Sequence, residues 1–307
     1  MCIRDRSNLG QIASQRPEIV QAFKEKWGLD KPLYVQYLTF LGNLTRGDLG
    51  NSINSRRAIT RDLKAFLPAT IELSTVAVLF ALGIGVPLGV VAAIRRESVI
   101  DHAARLLSLI GVSLPIFWLA TVSLVVFYAT LHWTVGPSRL GPQIASPPFV
   151  TGFYTVDSLL AGDYGTFRDA VAHLILPGLV LASSVMGLVT RVTRASMLDV
   201  LGQDYVRTAR AKGLREGATI ARHALRNALI PTVTVLGLAY GGLLSGAVMT
   251  ETIFAWPGLG RYAFQSAVTN DFPAIMGVTF VIGLMYTMVN FAVDLLYGWL
   301  DPQIRYS

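Results

Sequence analysis

One cysteine, Cys2, in 307 residues leaves no material for a disulfide framework or a thiolate metal cluster. Charge is scarce too, with Asp, Glu, Lys and Arg making up only 15% of the chain. No Gly-x-x-x-x-Gly-Lys-Ser/Thr loop occurs, so the chain has no phosphate cradle of its own and is not itself an ATPase of that kind. Neither a Gly-x-Ser-x-Gly elbow nor a His-Glu-x-x-His pair is present. The histidines His102, His132, His173 and His223 are far apart in sequence and read as structural or solvated. Catalytic residues, metal ligands and cofactor sites are therefore not expected. What abounds is apolar: 52% of residues, with a mean hydropathy of +0.51, exceed what a soluble domain of this length needs to fill its core. The class is membrane protein. The net charge of +7 does not make a nucleic-acid surface, because the bases lie between apolar runs and form no patch interleaved with aromatics.

A hydrocarbon core about 30 Å thick takes about 20 apolar residues per helical span, and a spanning backbone must satisfy its own hydrogen bonds. Five runs qualify: 70–94, 106–131, 171–190, 229–254 and 273–300. The expected fold is an all-α polytopic helical bundle in a lipid bilayer. Gly83, Gly85, Pro87, Pro115, Pro177, Pro231 and Gly237 interrupt the runs, and such residues allow close helix approach and bends.

Lys and Arg bias sets the orientation. Arg191, Arg194, Arg207, Arg210, Lys212, Arg215, Arg222 and Arg226 place the loop after the third run in the cytoplasm. Arg95, Arg96 and Arg105 place the first connection there as well, and the C-terminal tail 301–305 follows by parity. The connections 133–170 and 255–272 carry few bases and fall outside. Residues 1–69 then form an extracytoplasmic N-terminal segment, and 70–307 the transmembrane domain with a cytoplasmic loop at 191–228. A translocated segment without an apolar stretch at its start is read as truncated, with residues 1–7 as a foreign scar.

The loop carries the most information. Residues 204–214 read as a short helix ended by Gly213, where positive φ is open to glycine. In the helix that follows, Ile220, Ala221, Ala224, Leu225, Ala228 and Leu229 form an apolar face, with Arg222 and Arg226 opposite. Two readings fit a basic helical hairpin at a membrane surface: docking in a groove of a soluble partner, or rest on anionic headgroups.

The run Tyr205-Val206-Arg207-Thr208-Ala209-Arg210-Ala211-Lys212-Gly213-Leu214, followed by His223-Ala224-Leu225-Arg226-Asn227-Ala228-Leu229-Ile230-Pro231, resembles the signature loop of binding-protein-dependent ABC importer permeases. It is most similar to the B-type permease of the dipeptide and oligopeptide branch. The general family pattern is Glu-Ala-Ala, three residues, then Gly; Arg207-Thr208-Ala209 stands at the triplet here, so the acidic residue is absent. Gly47-Asp48-Leu49-Gly50, Leu67-Pro68-Ala69-Thr70, Glu251-Thr252-Ile253-Phe254-Ala255-Trp256-Pro257-Gly258 and Asp294-Leu295-Leu296-Tyr297-Gly298 also look like that branch.

The resemblance implies a type I ABC importer permease fold in a prokaryotic inner membrane, with six spans in a full-length protein against five here. It implies a second homologous permease subunit, two cytoplasmic ATP-binding subunits and an extracytoplasmic solute-binding protein, serving peptides or related solutes. Arg207, Ala209, Arg210, Lys212, Gly213, Leu214 and Glu216 are the candidates for ATPase contact. Ionisable residues within spans are functional candidates by default, which selects Glu72, Glu251 and Asp294 for the pathway or a gate. Ser113, Thr121, Ser183, Ser184, Ser245 and Asn290 either line a pathway or bond helix to helix. The rival reading, a self-sufficient secondary transporter or channel, requires a coupling-ion site or a carbonyl-lined filter, and no motif for either is visible.

Overall fold

The first spanning helix starts earlier than its apolar run. A short turn around 51–58, closed by the Ser52 N–H donating to the Arg57 carbonyl at 2.9 Å, leads directly into α2 (Ile59–Ile94). At 36 residues this helix measures about 54 Å, longer than the hydrocarbon core, so its opening turns with Arg61, Asp62 and Lys64 project past the apolar stretch. The structure, a computed structural model, describes residues 32–244 and 247–300, so residues 1–31, Ser245 and the tail 301–305 lie outside the described residues. The chain divides into two compact units, 1–50 and 51–307. In the first, α1 (Leu33–Thr45) starts at Pro32 and ends in a turn where Gly47 takes φ +74°.

The second unit is helical throughout its regular elements. After α2 come α3 (Val99–Ser113), α4 (Ile116–Thr130), the short α5 (Tyr154–Leu160), α6 (Tyr164–Leu201), α7 (Asp204–Ala211), α8 (Glu216–Leu244), α9 (Val248–Ile253), α10 (Leu259–Val268) and α11 (Phe272–Leu300). Four of these, α2, α6, α8 and α11, are long and apolar enough to cross a membrane, and the α3–α4 pair makes a fifth if it is one broken crossing.

Proline chemistry explains two departures from straight runs. Pro87 lacks an N–H and its ring crowds the carbonyl of Gly83, so α2 widens into a five-residue-spaced turn over Ala81–Gly85. The run 106–131 is broken: α3 and α4 meet at 103°. Leu114 is extended with ψ 131°, as a residue preceding proline favours, and Pro115 opens α4. The run 229–254 is carried by two elements, α8, described to Leu244, and the short α9, which Ala247 precedes at ψ 40°.

α6 is the central element. Of its most apolar stretch 56% is buried, against 17% for α11 at the rim. Three apolar layers follow one another along it: Leu174 and Leu181 with Leu73, Ala77 and Trp256; Val185 and Val189 with Ala81 and Leu236; Met197 with Ala93, Ala224 and Ala228. Lipid tails give no hydrophobic drive for helix pairing, so close backbone approach must supply it. At Gly89 a Cβ would stand 2.7 Å from the Thr190 carbonyl oxygen, and at Gly187 it would collide with that of Ser108, so α2 and α3 both lie directly on the α6 backbone.

Candidate functional site

The loop between α6 and α8 is built by local rules. α6 ends at Leu201, Gln203 in extended geometry starts α7, and the helix is stopped at Gly213, φ +77°. The Gly213 N–H donates to the Arg210 carbonyl at 2.9 Å and the Leu214 N–H to that of Ala209 at 3.4 Å, the paired closure of a helix ending on left-handed glycine. The Arg210 guanidinium then grips Glu216 through both nitrogens, Nε at 3.0 Å and Nη2 at 2.6 Å, which fixes the turn across Gly213.

α7 rests on the start of α8. Val206 and Ala209 face inward and are buried, and the Tyr205 hydroxyl accepts from Asn227 Nδ2 at 2.8 Å. Of the candidate contact residues, Arg207, Arg210, Lys212, Gly213, Leu214 and Glu216 are exposed, whereas Ala209 is turned toward its own chain. Leu214, an exposed apolar side chain, stands among the bases. The apolar face of the next helix packs as expected at Ile220, Ala224, Leu225 and Ala228, but Ala221 is exposed and Thr219 is fully buried. A wide turn over Thr219–Ala224 inserts an extra residue and rotates the register, which a 3.6-residue count does not anticipate.

Behind this loop Arg194 of α6 holds Asp101 of α3 by a two-pronged ion pair, Nε to Oδ1 and Nη2 to Oδ2, the second at 2.7 Å. Asp101 is completely buried and Arg105 approaches it at 3.5 Å. The sequence contains a hint of it, since Ser98 caps α3 and Asp101 stands three residues on.

At the opposite end of the bundle buried carboxylates bind the connecting segments together. Glu72 accepts from Arg139 Nη2 on one oxygen, and from the Thr155 N–H at 2.9 Å and hydroxyl at 2.7 Å on the other. Arg139 is itself buried, lies 3.5 Å above the Tyr154 ring and donates to the Gly152 carbonyl at 3.0 Å. Glu251, with no exposed surface, accepts from the Thr70 hydroxyl at 2.7 Å and the Arg261 N–H at 2.9 Å. Thr70 in turn accepts from the Leu259 N–H at 2.7 Å, and Trp256 Nε1 donates to the Ala69 carbonyl at 2.9 Å. Glu251 thus caps the first turn of α10, and Gly258 is needed because a Cβ there would overlap its carboxylate.

Asp62 accepts from Ser55 and Tyr262, and Asp271 from Ser52, the Asn54 N–H and the Ala274 N–H. Asp157 holds the Val150, Thr151 and Gly152 N–H groups and the Thr151 hydroxyl. Burial pushes the Asp157 and Asp271 carboxyls up, but these hydrogen bonds outweigh it and leave both below the usual carboxylate range.

Glu72 and Glu251, selected for a pathway or gate, are therefore enclosed by their own chain, while Asp294 is exposed on α11. The Thr121 and Ser183 hydroxyls return to their own helices, on Phe117 and Val180 carbonyls at 2.8 Å each. Ser113 is exposed, Ser184 half-buried, and the Asn290 side-chain oxygen buried. Arg139, Asp101 and Asp157 were not singled out by sequence; Arg139 was in principle visible as one of two bases, with Arg168, in the 133–170 connection. Among the described residues no group of His, Cys, Asp and Glu could hold a metal ion.

Residues 85–306 match the family described as the binding-protein-dependent transport system inner membrane component. The chain is 48% identical over 286 residues to the probable D,D-dipeptide transport system permease protein DdpB of Escherichia coli (strain K12), covering 93% of this chain and 84% of that one. It is 45% identical over 291 residues to the di/tripeptide transport system permease protein DppB of Pseudomonas aeruginosa (strain UCBPP-PA14), covering 95% and 86%. Among solved structures it is similar in fold to a chain of the MetNI methionine ABC transporter in inward-facing conformations, with TM-score 0.56 at 16% identity, over 76% of this chain and 94% of that one. The chain belongs to the binding-protein-dependent transport system inner membrane components, and is a multi-pass membrane permease subunit of an ABC importer whose ATP hydrolysis lies on separate subunits.

Proposed function

We propose that this permease carries peptides or related small solutes into a prokaryotic cell, pairing with a second homologous permease, docking two cytoplasmic ATPases and receiving solute from an extracytoplasmic binding protein. The observation that carries the reading is the α7 loop. A short helix capped on Gly213, fixed by the Arg210–Glu216 fork, presents Arg207, Lys212 and the apolar Leu214 to solvent at the end of the central helix. A loop resting on lipid would gain from its bases but has no need of a fixed turn; a groove-bound helix requires both. In this reading the α7 end and the C-terminus are cytoplasmic, in line with the basic loop.

Glu72 and Glu251 act in this reading on the gate indirectly, by holding the outer segments in place, and Asp294 faces a neighbouring subunit or lipid. The peptide assignment rests on the relatives named as dipeptide and di/tripeptide permeases.

The test is uptake by the reconstituted four-subunit complex with its binding protein, using labelled di- and tripeptides. Uptake is expected to require ATP and to vanish in Gly213→Pro, because proline cannot take φ +77°. Uptake driven by an ion gradient with this chain alone would overturn the importer mechanism.

A further inference from the structure

We infer that Asp101 and Arg194 are positioning residues for import, locking α3 to α6 as one lever so that movement of the α7 loop reaches the α3–α4 corner. The inference rests on the reading of α7 as the ATPase-docking element. Arg194 lies on the last turns of α6, which ends at Leu201, and α7 begins at Asp204. A force on α7 therefore enters both the start of α8, on which α7 rests, and, through the short link at 202–203, the stretch of α6 that carries Arg194.

Three features bind α3 to α6 in series. At the α7 end is the Arg194–Asp101 fork, on a carboxylate with no exposed surface that also accepts from the Glu97 N–H at 3.1 Å. Further along, the missing side chain of Gly187 lets α6 approach the Ser108 carbonyl, and that of Gly111 lets α3 approach the Ser183 carbonyl, where a Cβ would stand at 2.7 Å. Glycine-to-backbone contacts of this kind have no long side chains to flex, so they do not absorb a displacement. Directly beyond Gly111 the chain turns through 103° at Leu114-Pro115, where proline offers no N–H to bond across the corner. Compliance is thus confined to the corner, and stiffness to the segment between it and the ion pair.

An N-cap alone would not need Arg194. The Ser98 side chain already accepts from the Asp101 N–H, and the Asp101 carboxylate already takes the Glu97 N–H, all within the first turn of α3. The second helix contributes a fork that fixes angle as well as distance, and a lysine at 194 would provide charge without that geometry.

The experiment measures ATP hydrolysed per peptide imported by the reconstituted complex. A purely structural lesion lowers both rates together and leaves this ratio unchanged, whereas a slack lever raises it. The ratio is expected to rise roughly tenfold in Asp101→Asn and in Arg194→Lys, and to stay near wild type in Asp101→Glu, which keeps the charge. An unchanged ratio in Asp101→Asn and Arg194→Lys overturns the proposal. If Asp101→Asn does not assemble, Arg194→Lys decides alone on the same criterion. A wild-type complex without ATP-driven uptake overturns the docking reading and the lever with it; wild-type uptake with insensitive variants overturns only the lever.

Discussion

Replacing Thr70 by valine probes the carboxylate-clamped end of the bundle at its most economical point. The Thr70 hydroxyl is fully buried and makes two bonds, donating to Glu251 at 2.7 Å and accepting from the Leu259 N–H at 2.7 Å. Valine keeps the shape and the β-branching but removes both. The charge-assisted bond to a carboxylate contributes about 1.5–3 kcal/mol, and a buried N–H left without an acceptor costs about 1–3 kcal/mol. Their effects overlap, so we expect a net loss of about 2–4 kcal/mol, which corresponds to a fall in melting temperature of roughly 3–6 °C. Thermal unfolding of the detergent-solubilised protein, followed by tryptophan fluorescence, reads this directly because Trp256 donates to the carbonyl of neighbouring Ala69. Thr70→Ser, which keeps the hydroxyl, is expected to lose far less. A valine variant melting within 1 °C of wild type, or a serine variant as unstable as the valine one, would show that the hydroxyl is not what ties α2 to α10.

Gly213→Val forces a β-branched residue into left-handed geometry and should destabilise the α7 turn by about 1–2 kcal/mol, seen as faster proteolysis at the loop and lost ATPase binding while the melting temperature of the bundle stays put. Glu72→Gln strands the Arg139 guanidinium and is expected to cost about 3–5 kcal/mol; the double variant Glu72→Gln/Arg139→Gln should be less damaging than that single change, and additive losses would refute the pairing. The Asp157 carboxyl, held below its ordinary value, stabilises the 150–157 loop fully above the unfolded value near 4 and loses that contribution as pH falls through the lower folded value. The protection factors of the Thr151 and Gly152 amides against hydrogen exchange should therefore fall with acidification in wild type, and Asp157→Asn should abolish that pH dependence; identical profiles would refute it.

Much of the fold was legible because a bilayer imposes a length on every apolar run, and that length survives whatever the tertiary packing does. The positions of α6 and α11 follow from it almost directly, and Gly213 was visible as a stop because left-handed backbone selects glycine. What escaped was set by contacts rather than composition. The start of α2 at Ile59 depends on the preceding turn, and the register of Thr219–Ala224 on a wide turn that breaks the helical count. The capped turn at Gly213 was readable in the basic loop, whereas the pairing of the buried carboxylates was hidden. A carboxylate in a span announces a function, but only its partner says which, and Arg139, Thr155 and Thr70 carry no signal of pairing in one dimension.

The carboxylate clamps have a consequence for biogenesis. Their partners lie far apart along the chain: Ser52 and Asp271 are separated by 219 residues, Asp62 and Tyr262 by 200, Thr70 and Glu251 by 181. During synthesis the early carboxylate and hydroxyl groups must wait, hydrated at the membrane surface, until the segment after α8 emerges to meet them. Closure of that face thus waits for the segment after α8, whatever the order in which the helices enter the bilayer, because loop closure of such span cannot precede the arrival of its second half. A chain stalled before α10 would display Ser52, Asp62 and Thr70 on a surface that the finished protein seals, giving the cell's quality-control proteases a mark that separates a nascent permease from a complete one.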